Sequence, residues 1–225
     1  MTAVPAHGPF PLPRSARIAV FASGRGSNLA SLLTAFPPRD EANDAPLGRV
    51  TLVLGNVPGA AALLRAADAG VPTRTVPWRR GEGDRETFEA AAQDDLDAHG
   101  IDLVCLAGFM RVLSPGFVRR WEGRIVNVHP SLLPAFRGLH AQRQALRAGV
   151  RESGCTIHLV DAGVDTGRVL LQRRVPVHPG DTERSLAERI LAEEHVAYPE
   201  AVRRLLRGER PIQDADAAPM KEETA

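Results

Sequence analysis

The chain has 225 residues, 44% hydrophobic and 24% charged, with 28 basic against 27 acidic side chains and hence a net charge of +1. At roughly 100–200 residues per domain this length suits one generous domain, and the near-neutral balance lacks the basic excess of a non-specific nucleic-acid binder. No apolar run reaches the ~20 residues of a membrane helix, and two distant cysteines, Cys105 and Cys155, make neither a disulfide framework nor a zinc ribbon, which points to a reducing cytoplasm.

Residues 1–16 contain four prolines and no basic segment ahead of an apolar core, which predicts a loose leader and not a signal peptide. From Arg17 onward, short apolar runs alternate with helix-period stretches. RIAVFA (17–22) precedes SNLASLLTAF, VTLVLG (50–55) precedes PGAAALLRAADAG, and VPTRTV (71–76) precedes DRETFEAAAQDDLDAHG (84–100). DLVCLAG (102–108) is followed by SPGFVRRWEG, where Ser114 and Pro115 form an N-cap and first-turn pair. Buried parallel strands read as continuous apolar runs, so this half predicts an α/β fold with a mostly parallel sheet and helices on both faces.

The second half changes character. RIVNVHP (124–130) leads into SLLPAFRGLH, with its proline and glycine, and then a short helix-like AQRQALRAG. CTIHLV (155–160) and VLLQRRVPV (169–177) flank the turn-rich DAGVDTGR and predict antiparallel neighbours. TERSLAERILAEEHVAYPEAVRRLLRG predicts a long closing helix, kinked near Pro199, and residues 209–225 a frayed polar tail.

Four features carry chemistry. SGRGSN (23–28) lies between a strand and a helix, where Gly24 and Gly26 permit a tight turn and the helix N-terminus favours an anion. Leu29 replaces the third glycine of a dinucleotide fingerprint, and Gly55–Asn56 replaces the acidic residue that would hold a ribose, so a single phosphate fits better than a dinucleotide. A glycine-rich turn without a ligand is the competing reading.

Alternation along the strand places Asn127 and His129 on one face at a strand end, an amide able to donate to an oxyanion beside an imidazole able to move protons. The competing reading is a histidine satisfied by structural hydrogen bonds. Asp165 by default bonds its own turn. If its loop folds over the strand carrying His129, the carboxylate orients the imidazole and raises its pKa. Glu194 interrupts the helical stripe Leu186, Ile190, Ala197, Ala201, and snorkelling to the edge is the ordinary outcome. Neither an HExxH nor a CxxC pattern occurs, so no metal is expected. Met110 reads as core and Arg85 as part of a solvated helix face.

In this order and spacing, SGRGSN, LAGFMRVLSP, NVHPSLLPAF and DAGVDTG resemble the glycinamide ribonucleotide (phosphoribosylglycinamide) formyltransferases, folate-dependent enzymes of purine synthesis. The resemblance covers residues 17–208. It implies a single formyltransferase domain with a Rossmann-like, mononucleotide-binding half to about residue 123 and a folate and catalytic half after it. By position, Gly26, Ser27 and Asn28 would hold the substrate phosphate, with Gly108 beside the glycinamide and Glu194 at its amine. Asn127, His129 and Asp165 would be the catalytic trio, acting through a tetrahedral intermediate. Arg85, Met110, Arg111, Val112 and Leu113 would line or edge the site of 10-formyltetrahydrofolate, the formyl donor. The implied partners are small-molecule substrates, with no nucleic acid, no membrane and no metal, in a cytoplasmic monomer or homodimer.

Arg137 stands where this family commonly has proline before Gly138, as in relatives that formylate methionyl-tRNA or nucleotide sugars. A formyltetrahydrofolate deformylase and a non-catalytic nucleotide-binding module are the competing classes. The deformylase would carry a further N-terminal domain and the tRNA enzyme a further C-terminal one. With about 16 residues before Arg17 and about 17 after Gly208, the length favours the small-nucleotide acceptor.

Overall fold

The apolar runs become strands, buried or half-buried except for the short edge strand formed by residues 73–75, and the helix-period stretches pack their apolar stripes inward. The computed structural model describes Leu12 and residues 15–38, 47–78 and 84–209. The expected tail beyond Glu209, and the leader apart from Leu12, Ser15 and Ala16, lie outside the described residues. Strand β1 (Ala16–Ala22) is followed by α1 (Ser27–Ala35), β2 (Gly48–Gly55), α2 (Ala61–Asp68), β3 (Thr73–Thr75), α3 (Asp84–Ala98) and β4 (Leu103–Leu106). Then come α4 (Pro115–Arg120), β5 (Ile125–His129), α5 (Ala141–Arg147), β6 (Glu152–Leu159), β7 (Val169–Pro176) and α6 (Glu183–Leu206).

The seven strands form one sheet in the order β3-β2-β1-β4-β5-β6-β7. The first five are mutually parallel, while β6 and β7 are antiparallel additions beyond β5. This is the α/β architecture expected from the alternation of runs. The winding steps outward from β1 to β3 and then crosses back to place β4 on the other side of β1. Beyond the C-terminal ends of β1 and β4 the two chains therefore diverge, which opens a crevice of the kind in which such sheets bind ligands.

Alternate strand residues feed two cores. Ile18 and Val20 pack with Leu29, Leu32, Ala62, Leu186, Ile190 and Val202 on one face. Ala19 and Phe21 pack with Phe88, Leu96, Phe117 and Trp121 on the other. Each fully buried Leu, Ile or Phe removes enough apolar surface from water to contribute about 1.5–3 kcal/mol. Ser114 caps α4 by accepting from the Phe117 N–H, with Pro115 in the first turn as the sequence predicts.

Helix α6 starts with a reciprocal Thr182–Ser185 capping box and runs unbroken to Leu206 with Pro199 inside it. The fully buried Tyr198 hydroxyl donates to the carbonyls of Leu106 (3.2 Å) and Val126 (2.9 Å), which ties α6 to β4 and β5. Among the described residues no helix is long and apolar enough to cross a membrane.

Candidate active site

Strand β5 presents Asn127 and His129 on one face, with Val126 and Val128 turned to the opposite core. Antiparallel pairing sets His158 of β6 directly across from Asn127, and the Asn127 Nδ2 amide lies 3.2 Å from His158 Nε2. His158 Nδ1 is 2.8 Å from its neighbouring carbonyl, Leu159 O. With the Nδ1 proton donated there, Nε2 accepts from one N–H of Asn127, and the second N–H of that amide remains available.

The β6–β7 loop folds over this strand end. Asp161 shapes it by accepting from the Gly163 N–H and the Thr166 hydroxyl, so the self-bonding role falls to Asp161 and not to Asp165. A side chain at Gly167 would collide with the Leu159 carbonyl. Asp165 adopts a left-handed backbone, φ 52°, and turns its carboxylate inward. Its Oδ2 lies 3.2 Å from His129 Nδ1 and accepts from the Gly138 N–H at 2.9 Å, while Oδ1 is 3.6 Å from His158 Nε2. The other nitrogen of His129, Nε2, lies 2.9 Å from the Phe136 carbonyl.

The electrostatics correct one expectation. Burial pulls the His129 pKa down, the Phe136 carbonyl and the Asp165 carboxylate pull it up, and nearby His158 lowers it again. The net direction is downward, because His129 is only 5% exposed and desolvation outweighs the carboxylate's attraction. For Asp165, burial acts to raise the pKa. His158, the Gly138 N–H and His129 together overcome it and hold the carboxyl below its ordinary value.

At the other end of the crevice, α1 begins without a side-chain cap, since its N-cap is Gly26. Among the described residues its first-turn amides thus have no side-chain cap, the arrangement that binds phosphate. Gly26 has φ 76°, and an added Cβ would lie 2.7 Å from Ala62 Cα. The conformational requirement expected of two glycines rests on this one. Gly24 lies outside the left-handed region, and a Cβ there would meet nothing within 4 Å.

Glu194 does not snorkel. It is 7% exposed, and its Oε2 accepts from Asn28 Nδ2 at 2.7 Å. Burial raises its pKa, partly offset by that hydrogen bond. Among the described residues, the buried Asn28 Oδ1 has no partner. The expected phosphate loop and the closing helix thus meet in one polar contact inside the molecule.

A cleft of about 480 Å³, part of it open to solvent, is lined by Leu106, Arg111, Val112, Leu113 and Val118 on one side. His158, Val160, Asp161, Val164 and Asp165 line the other. Apolar walls with a polar end suit a small-molecule ligand. Met110 and Arg85 lie outside this lining. Met110 is 65% exposed and so is not the core residue its neighbour Phe109 is, and Arg85 stands on the exposed side of α3. Gly108, with φ 70°, sits at the turn where the chain leaves β4.

Residues 16–202 match the model of the Formyl transferase family. The chain belongs to the formyl transferase family. Among curated family relatives, the phosphoribosylglycinamide formyltransferase of Escherichia coli is 41% identical over 81% of this chain and 83% of its own length. The trifunctional purine biosynthetic protein adenosine-3 of Drosophila melanogaster is 50% identical over 87% of this chain. This chain spans 14% of that larger protein. The solved structure of glycinamide ribonucleotide transformylase 1 from Symbiobacterium toebii superposes with a TM-score of 0.80 at 44% identity, covering 89% of this chain and 92% of that one.

Within this formyl transferase fold, the β6–β7 loop brings Asp165 to Asn127 and His129, which strand alternation already places side by side. The sequence reading missed two participants. His158 touches both Asn127 and Asp165, and a lone imidazole inside the apolar run CTIHLV was the signal that could have revealed it. The Phe136 carbonyl had no signal, because it reaches His129 only through a left-handed turn at φ 55°.

Proposed function

We propose that this chain transfers the formyl group of 10-formyltetrahydrofolate to the glycyl amine of 5-phosphoribosylglycinamide, a step of purine biosynthesis. The observation that carries the reading is the Asn127–His129–Asp165 cluster beside an apolar cleft, on the same sheet edge as an uncapped helix N-terminus. The names and activities of the bacterial relatives agree with it, and the two buried free cysteines suit a reducing cytoplasm.

The amides of Gly26, Ser27 and Asn28 hold the substrate phosphate, and Glu194 accepts a hydrogen bond from the glycyl amine. Arg111, Val112 and Leu113 hold the donor, with Met110 and Arg85 at the edge and Gly108 beside the glycinamide. When bound, the donor supplies an electrophilic formyl carbon and a nitrogen leaving group. Asn127 offers its second amide N–H to the formyl oxygen as negative charge develops there, a contribution of about 10²–10³ in rate for one well-placed donor. His129 is held below its ordinary pKa and is neutral near pH 7, so it accepts the proton that the attacking amine loses. Asp165 and the Phe136 carbonyl then stabilise the imidazolium, and His129 passes its proton to the departing nitrogen.

One incubation tests this. The protein is supplied with 10-formyltetrahydrofolate, with and without 5-phosphoribosylglycinamide, and tetrahydrofolate release is followed. Release that depends on the acceptor supports the proposal. Release without acceptor makes the protein a deformylase, and no release in either arm overturns the assignment.

A further inference from the structure

Ser23 opens the SGRGSN motif but has no part in the phosphate site. It is the first residue after β1, at the mouth of the crevice, where the chain leaves for α1 on one face while the segment after β4 leaves for α4 on the other. Ser23 makes three hydrogen bonds, two across the gap to the segment after β4 and one back to the end of β2. Its N–H donates to the Gly108 carbonyl (3.1 Å), its Oγ accepts from the Met110 N–H (2.9 Å), and its hydroxyl donates to Asn56 Oδ1 (2.6 Å).

The chain of contacts closes on itself. Asn56, 3% exposed at the end of β2, accepts through its carbonyl from the Trp78 N–H at 3.2 Å. The Trp78 carbonyl accepts from Arg111 Nη2 at 2.8 Å, and the Arg111 guanidinium lies 5.7 Å from the centre of the Trp78 ring. Arg111 is bonded to Met110, which returns to Ser23. This ring fixes the backbone of residues 110–111 at the point where they enter the wall of the donor cleft.

Resting on the formyl-transfer reading, we infer that Ser23 is a positioning residue for the formyl donor, acting through Asn56, Trp78 and Arg111 on the segment 108–113. Its hydroxyl both donates to Asn56 and accepts from Met110, so removing it leaves the Met110 N–H and Asn56 Oδ1 without this partner and opens the ring. The phosphate loop keeps its own support, because the Ser23 N–H bond and the packing of Gly26 against Ala62 involve no hydroxyl.

The test compares the wild type, Ser23→Ala and Ser23→Thr for donor and acceptor KM, for donor affinity by calorimetry without acceptor, and for melting temperature. In Ser23→Ala, donor KM and donor Kd rise by about three- to tenfold, the worth of one neutral hydrogen bond. Acceptor KM stays within about twofold, and Ser23→Thr, which retains a β-hydroxyl, returns the donor values toward wild type. An equal rise in both KM values, a rise not rescued by threonine, or an unchanged donor Kd overturns the inference. Absence of turnover in the wild type with a measurable donor Kd sinks the functional assignment alone. A wild type that does not bind the donor sinks both.

Discussion

Asn28 and Glu194 meet at 2.7 Å although 166 positions separate them in the chain. Among the described residues the buried carboxylate has one hydrogen-bond donor, and Asn28 Oδ1 beside it has none. A charge held this way costs stability in the free protein and is poised to be relieved by a cationic or hydrogen-bonding substrate group. In Glu194→Gln the new amide can still accept from Asn28 Nδ2 and can also donate to Asn28 Oδ1. The variant is therefore expected to be more stable than wild type by about 1 kcal/mol near neutral pH. Because the folded-state pKa of Glu194 is raised, the charged form costs stability as pH rises through it, and the difference shrinks below that value. Denaturant midpoints across pH check this, and the acceptor KM is expected to rise in the same variant.

The catalytic assignment predicts that Asn127→Ala, His129→Ala and Asp165→Ala each lower kcat by at least about 100-fold, with binding of the phosphate-bearing substrate largely retained. Near-normal turnover of the His129 variant would contradict the mechanism. His158→Ala is expected to cost about 10- to 100-fold, since it removes the partner of the Asn127 amide and one contact of the Asp165 carboxylate and so misplaces groups that must be aligned. Steady-state kinetics with both substrates varied measure all four.

A neutral His129 as proton acceptor implies that kcat/KM falls as pH drops through its depressed pKa, below 6.5. Asp165 is one of the groups pulling that pKa up. In Asp165→Asn the residual activity is expected to keep its acid limb but at lower pH, because removing the carboxylate lowers the imidazole pKa further. An acid limb that moves upward would show that the carboxylate acts in some other way. Stability follows the same sign. His129, depressed on folding, contributes stability above its unfolded pKa that is lost as pH falls through the folded value.

Gly26→Ala places a methyl group 2.7 Å from backbone of α2 in a left-handed conformation, so neither space nor φ suits it. A loss of about 1–3 kcal/mol in stability is expected, together with a higher acceptor KM as the first-turn amides turn away. Gly24→Ala, with open space and no positive φ, is expected to change stability by less than about 0.5 kcal/mol. Chemical denaturation of the two variants side by side distinguishes local strain from a general intolerance of the loop.

The sequence alone determined the order of strands and helices, because buried parallel strands and amphipathic helices write different periods into the chain. It also placed Asn127 beside His129, since alternation along β5 is a local rule, and it marked Gly26 as the entry to a helix N-terminus. Tertiary structure decided everything that depends on distant partners. The fate of Glu194 followed from what α6 packs against, Asn28 in α1, and its sequence stripe was equally compatible with a snorkelling side chain. The same holds for His129, whose pKa direction depends on how much burial the folded loop imposes and on a carbonyl delivered by the turn at Phe136. His158 entered the site because antiparallel pairing set it opposite Asn127, a register that no local pattern specifies. Short-range geometry is written in short-range periodicity, whereas desolvation and cross-strand contact exist only once the chain has closed on itself.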